Sequence, residues 1–150
     1  MVNDAPTFWE VAPEIAKIGQ GCIAALAYNA PFDRKFISHS YARYTDRGIA
    51  ALPCMCPEEK WFDPMVWAKA FAKKYEKGAY KLGAVAERVG VKFKGDAHRA
   101  DVDASAAARV FATFLKHIPP RLPLALSLQE VMRAKQEAEF LQWLYRKQKT

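Results

Sequence analysis

A continuous apolar run from Cys22 to Tyr28, followed directly by a helix-forming segment, constrains the fold of this chain more than any other feature. An apolar run of strand length without alternating polar side chains is typical of a strand buried on both faces. Pro31 suits the first turn of the helix that follows. The same order recurs where residues 60–62 can form a short strand and Asp63 can cap a third helix. This repeated order of strand and helix indicates an α/β fold.

Apolar residues at helical spacing predict the helices of the first half. Thr7 and Glu10 have the spacing of a capping box, and Gly19 is expected to end the first helix. The helix after Pro31 is predicted to present one apolar stripe until about Gly48. The stripe consists of Phe32, Phe36, Ile37, Tyr41 and Tyr44. The third helix carries Val66, Trp67, Phe71 and Tyr75.

Two further helices are predicted before a proline-rich break. One extends from Lys81 to Val89 and is closed by Gly90. The other is Ala-rich, with Asp101 as its cap. Its two expected buried rows are Ala106, Val110 and Phe114, and Ala107, Phe111 and Leu115.

The C-terminal part divides into a linker and a last helix. Prolines at 119, 120 and 123 indicate a stiff linker over residues 119–126. Ser127 and Glu130 then form a second capping-box candidate, opening an amphipathic helix over residues 127–150. One apolar side of this helix consists of Val131, Ala138, Leu141 and Tyr145. We therefore expect a folded domain over residues 1–118, and a tail that either docks on it or binds a partner.

Composition narrows the class of protein. The 150 residues are 51% hydrophobic and 26% charged, which is typical of one globular core. The net charge of +7 favours a polyanionic partner, although a basic solvated surface is the simpler interpretation. Cys22, Cys54 and Cys56 lack zinc-site spacing and are interpreted as incidental thiols. No apolar run is long enough to span a membrane and no signal peptide is evident, so we expect a cytoplasmic protein.

Two motifs point to a specific chemistry. His98 is followed by Asp103 at the opening of the Ala-rich helix, and Asn29 is followed by Asp33 at the start of the second helix. Together they resemble two of the three motifs of the DEDDh 3'-5' exonucleases, the DnaQ-like family that includes RNase T and the proofreading subunit of bacterial DNA polymerase III. The resemblance covers roughly residues 1 to 117.

The resemblance implies a fold and a set of site residues. The family has a ribonuclease H-like sheet, four acids that hold two divalent ions, and a histidine that acts as general base. By the resemblance, Asp33 and Asp103 are ligands of Mg²⁺ or Mn²⁺, for which carboxylates are suitable donors, and His98 is the base. Asn29, Phe32 and Arg99 are implied substrate-binding residues, and the substrate is implied to be a 3' end of single-stranded DNA or RNA.

This chain departs from the family pattern in two places. Tyr28 stands where the family more often has His. The N-terminal Asp-x-Glu motif is absent, and the chain starts where the family has completed three strands. We therefore expect an N-terminally truncated ribonuclease H-like fold with about two strands and four or five helices. With two of four metal-binding acids, we expect weak or no activity alone. A strand without its neighbour favours a homo-oligomer or a complementing polypeptide.

Two functions remain open at this point. One is a metal-dependent exonuclease, which could act with a polymerase. The other is a catalytically silent nucleic-acid-binding or interaction module derived from an exonuclease. Simpler readings exist for single residues: Asp33 as a helix-start acid, Asp63 and Asp101 as caps, Arg99 as an exposed charge. For Asp63 and Asp101 we prefer the cap, and for Asp33, His98 and Asp103 the family motif.

Overall fold

The computed structural model describes residues 4–43, 60–71, 78–93 and 99–149 and is mostly helical. Its elements in chain order are α1 (Phe8–Ile18), β1 (Ala25–Leu26), α2 (Ala30–Ala42), β2 (Trp61–Phe62), α3 (Pro64–Phe71), α4 (Leu82–Arg88), α5 (Ala100–Phe114), a 3-10 turn (Leu115–His117) and α6 (Leu122–Lys147). β1 and β2 are neighbours in a two-stranded parallel sheet. The two strands agree with the expected number, while the described residues carry six α-helices instead of four or five.

The chain separates into two compact units. Unit 1 comprises Met1–Ala25 and Ala30–Trp61, and unit 2 comprises Leu26–Asn29 and Phe62–Thr150. Several predicted positions lie outside the described residues: Tyr44, Gly48, Cys54, Cys56, Tyr75 and His98. No helix within the described ranges is both long and apolar enough to cross a membrane.

The first helix in unit 1 begins and ends as predicted. The Glu10 carboxylate accepts hydrogen bonds from the Thr7 backbone N–H at 2.6 Å and from its hydroxyl at 2.8 Å. These bonds lower the pKa of Glu10, with the backbone bond the larger cause. The Gly19 N–H donates to the Ile15 carbonyl at 2.9 Å and closes the helix. In the same unit the ring of Phe8 packs edge-on against buried Tyr41, with centroids 5.1 Å apart.

The predicted strand from Cys22 to Tyr28 is wrong in length and in burial. β1 contains only Ala25 and Leu26, both half-buried, and Ile23 is 71% exposed. The Cys22 N–H donates to the Gly19 carbonyl, so the start of the apolar run completes the turn after α1. An apolar run can extend as a strand only as far as a partner strand supplies backbone groups, and β2 is itself two residues long.

In unit 2, α3 begins as predicted. The Asp63 carboxylate caps it by accepting the Met65 N–H at 3.0 Å. Helix α4 ends before Gly90, whose φ of 73° is the left-handed conformation that glycine adopts without strain. The core of this unit packs α5 against α3 and α4 and consists of Trp67, Ala68, Val85, Ala86, Val91, Val110 and Phe114.

The predictions for α5 are correct for one buried row and wrong at both ends of the helix. Arg99 is the N-cap, and Asp101 lies inside the first turn instead of capping it. The row of Ala106, Val110 and Phe114 is buried. Leu115 is 55% exposed because the α-helix ends at Phe114 and the chain tightens into a 3-10 turn, which changes the direction of the following side chains.

Helix α6 begins at Leu122, five residues before the predicted Ser127. Pro123 lies in its first turn, where a missing backbone N–H costs nothing, so the proline-rich segment opens the helix instead of preventing it. The capping box at Ser127 is therefore wrong. The buried side chains of α6 are Ala125, Leu126 and Gln129, and the predicted apolar side of Val131, Ala138, Leu141 and Tyr145 is exposed. The division into a domain, a linker and a tail stays a prediction.

Candidate active site

Asp33 lies in the first turn of α2, as the sequence predicts. Its side chain is half-buried in unit 1. Burial raises the pKa of Asp33 above its usual value of 3.8, and a hydrogen bond from its own backbone lowers the pKa by less.

Replacing Asp33 with asparagine tests this pKa shift. Because the folded-state pKa is raised, the folded chain binds the proton more tightly, and wild-type stability falls as pH rises through that pKa. The Asp33→Asn variant lacks this loss, so its stability relative to wild type should increase with pH. Urea unfolding at several pH values between about 3 and 7 measures the difference. A difference that does not change with pH would contradict the shift.

The two residues before α2 are held by contacts within unit 2. Asn29 has φ 64°, a left-handed conformation, and its backbone N–H donates to Asp63 Oδ1 at 3.0 Å. The hydroxyl of Tyr28 donates to the Tyr80 carbonyl at 2.6 Å. Burial and the Asp63 carboxylate raise the pKa of Tyr28, so the hydroxyl remains protonated as a donor. The structure thus places Asn29 in a turn before α2 and holds Tyr28 by a hydrogen bond within unit 2, and a substrate contact by Asn29 stays a prediction.

Phe32, an implied substrate-binding residue, is 71% exposed. Phe36 on the same helix is also exposed, while Tyr41 is buried. The predicted apolar stripe of α2 is therefore exposed at its first two positions. The burial of Tyr41 against Phe8 covers only the end of the helix. An exposed ring at Phe32 is compatible with substrate contact, and that role stays a prediction.

Asp103 lies in the first turn of α5, half-buried, and its N–H donates to the Arg99 carbonyl at 2.9 Å. The guanidinium of Arg99 pairs with Asp101 through two contacts, Nε to Oδ1 at 3.2 Å and Nη2 to Oδ2 at 3.3 Å. Both side chains are about two-thirds exposed, so this pair contributes little to stability. A phosphate contact by Arg99 stays a prediction.

A shallow cleft follows the face of α5 that does not carry Asp103. Its volume is about 180 Å³, and the Arg109 guanidinium donates to the Lys92 carbonyl across it at 2.7 Å. The lining residues are Lys92, Phe93, Asp101, Val102, Ser105, Ala106 and Arg109. Asp101 lines the same cleft as the cations Lys92 and Arg109, and the Arg109 guanidinium already donates to a carbonyl. We therefore do not assign an anion site to this cleft.

Sequence reasoning missed the main polar cluster of unit 2, which surrounds Asp63. Asp63 is fully buried, and its Oδ2 lies 3.6 Å from Arg133 Nη1. The Gln129 side-chain oxygen accepts both the Asp63 N–H at 2.8 Å and the Trp67 indole N–H at 3.0 Å. Gln136 donates to the Val66 carbonyl at 2.9 Å. The spacing of Gln129, Arg133 and Gln136 on one face of α6 could have indicated a polar contact with another element.

The predicted site residues are distributed over both units. Asp33 and Phe32 belong to unit 1, and Asn29, Arg99 and Asp103 belong to unit 2. His98 lies outside the described residues. Within residues 4–43, 60–71, 78–93 and 99–149, no group of three or more His, Cys, Asp or Glu side chains is placed to hold a metal ion.

Comparison with known proteins identifies the family. The RNase T family model, described as exonuclease, matches residues 1–111. Searches of curated proteins and of solved structures gave no significant match. The resemblance to DnaQ-like and RNase T-like exonucleases is thus confirmed over most of the sequence, and the chain belongs to the RNase T family of exonucleases.

Proposed function

We propose that this chain is a 3'-5' exonuclease-family protein of ribonuclease H-like fold whose substrates are the 3' ends of single-stranded DNA or RNA. The observation that carries the proposal is the exonuclease family match over residues 1–111. The position of Asp33 and Asp103, each half-buried in the first turn of its helix, supports it. The net charge of +7 is compatible with a polyanionic substrate.

Exonucleases of this family typically use divalent metal ions. Carboxylate oxygens are suitable ligands for Mg²⁺ or Mn²⁺, and paired ions can stabilise the charge that develops during phosphodiester hydrolysis. The described part of this chain offers no three-ligand group, so it does not fit a complete two-ion site. We therefore propose Asp33 and Asp103 as partial ligands, and His98 as a general base because imidazole titrates near neutral pH.

A nuclease assay tests this proposal. We expect the 150-residue chain to release little or no nucleotide from 3'-labelled single-stranded DNA or RNA in Mn²⁺. The reason is that a site with fewer carboxylate ligands binds a hard cation less tightly. Nucleotide release is measured by gel electrophoresis. The matched variants are Asp103→Ala and Asp101→Ala, which remove acids from the same helical turn.

The two variants make the result interpretable. Strong digestion that disappears in Asp103→Ala and survives in Asp101→Ala would refute the expected weak activity, and it would support the assigned site. Digestion that both variants retain would indicate a contaminating nuclease or a site elsewhere.

The alternative is a catalytically silent module that binds nucleic acid or protein. It is compatible with the described residues, in which no three His, Cys, Asp or Glu side chains are grouped to hold a metal ion. Binding alone does not separate the two functions, because an exonuclease also binds its substrate. A complementing polypeptide or a polymerase partner would be revealed by activity that appears only when that partner is added.

A further inference from the structure

The side of α6 that faces away from α3 is exposed along the whole helix. Gln129 and Gln136 contact residues of α3. Val131 lies two positions after Gln129, and Ala138 lies two positions after Gln136. Two residues correspond to about 200° around an α-helix, so the second pair lies nearly opposite the first. Val131 is 67% exposed, and Ala138 is exposed as well.

The exposed residues on this side follow a heptad pattern. We define the α6 seam as Leu124, Val131, Ala134, Ala138, Leu141 and Tyr145. From Val131 onward the steps between them alternate between three and four residues, the spacing of positions a and d in a coiled coil. All six are exposed, with Leu124, Leu141 and Tyr145 at 55%, 57% and 60%.

The charges beside the α6 seam identify a partner and an orientation. Glu130 and Glu137 occupy the g positions on one flank, and Lys135 occupies an e position on the other. In a parallel pair of identical helices, the g position of one chain lies beside the e position of the next heptad in its partner. This arrangement places Glu130 near Lys135 of the second copy. An antiparallel pair would bring glutamates together. Glu130 also lies 3.4 Å from Arg133 of its own helix.

We propose that α6 pairs in parallel with α6 of a second copy of this chain through the α6 seam. The seam lies opposite the contacts to α3, so pairing leaves those contacts intact. The proposal does not depend on nuclease activity, and it holds for an active or a silent protein.

Sedimentation equilibrium of the full chain tests the pairing. We expect wild type to dimerise reversibly at micromolar concentrations. Leu141→Glu should raise the dimer dissociation constant about 100-fold, because each dimer loses two buried leucines. The matched control is Leu115→Glu, which places the same charge on a leucine of nearly equal exposure outside α6. It should leave the dissociation constant unchanged.

Disulfide cross-linking tests the orientation. Gln148 occupies the next d position after Tyr145, near the end of the helix. In a background with Cys22, Cys54 and Cys56 replaced by serine, Gln148→Cys should form a disulfide-linked dimer on mild oxidation. Parallel helices bring the two introduced cysteines together, whereas antiparallel helices place them at opposite ends.

Several outcomes would overturn the proposal. A wild-type chain that is monomeric throughout the micromolar range rejects it, and so does a dimer that Leu141→Glu weakens no more than Leu115→Glu. A dimer without the Gln148→Cys cross-link rejects the parallel arrangement. If the monomer binds single-stranded DNA or anionic lipid vesicles, and Leu141→Glu but not Leu115→Glu abolishes that binding, the surface serves that ligand instead.

Discussion

The Asp63→Ala variant should lose about 3–4 kcal/mol of unfolding free energy, as expected when one partner of a buried ion pair is removed. The substitution removes the buried carboxylate that lies 3.6 Å from Arg133 Nη1, and it leaves this guanidinium, only 22% exposed, with the more exposed Glu130 carboxylate at 3.4 Å. It also leaves the backbone N–H groups of Asn29 and Met65 without their acceptor. Urea unfolding followed by circular dichroism measures the loss.

Asp101→Ala provides the matched control for this prediction. The sequence predicts both aspartates as helix caps, and the structure separates them: Asp63 is buried, whereas Asp101 is two-thirds exposed and pairs with Arg99. The control should change stability by less than about 1 kcal/mol, as is usual for an exposed ion pair. Equal losses in the two variants would mean that the Asp63 cluster does not stabilise unit 2.

The Trp67→Ala variant should lose about 4–5 kcal/mol, near the upper end of the range for truncating a buried aromatic residue. Trp67 has no exposed surface and stacks on Phe71 with centroids 6.1 Å apart. Its removal also takes one hydrogen bond from the Gln129 side-chain oxygen. A loss of this size is a large fraction of the stability of a typical domain, about 5–15 kcal/mol. Thermal and urea unfolding both measure it.

Two variants separate the contributions of Trp67. Trp67→Phe keeps most of the buried ring and removes the indole N–H, so it should recover more than half of the loss. Trp143→Ala removes a tryptophan that is 48% exposed on α6 and should cost far less. If Trp143→Ala cost as much as Trp67→Ala, the core of unit 2 would not be centred on Trp67.

Local patterns of sequence predicted the helices better than the strands. The capping box of Thr7 and Glu10, and Asp63 as a cap, depend on neighbours three residues away or fewer, so the sequence contains the whole interaction. The strand at Cys22 depends on a partner strand far along the chain, which an apolar run does not reveal. The start of α6 was misplaced because proline was interpreted as a break, although it is well tolerated in a first helical turn.

The candidate site was predictable only in part. The sequence correctly placed Asp33 and Asp103 in first turns, because each follows a connector and precedes an apolar helical pattern. The buried cluster of Asp63, Gln129 and Arg133 could not be predicted, since it joins residues 66 positions apart through tertiary packing. Whether the exposed Phe32 and Arg99 bind a substrate depends on a ligand, about which neither helix periodicity nor burial gives information.

The Asp63 backbone N–H and the Trp67 indole N–H both donate to a side-chain oxygen that lies outside the family match. Gln129 supplies that acceptor, and it lies beyond residue 111, where the family match ends. A polypeptide shortened to the matched segment would lose this acceptor, and the Trp67 ring and its indole N–H would lose the cover that α6 gives them. We therefore expect a polypeptide that ends at residue 111 to be less stable than a chain that includes Gln129.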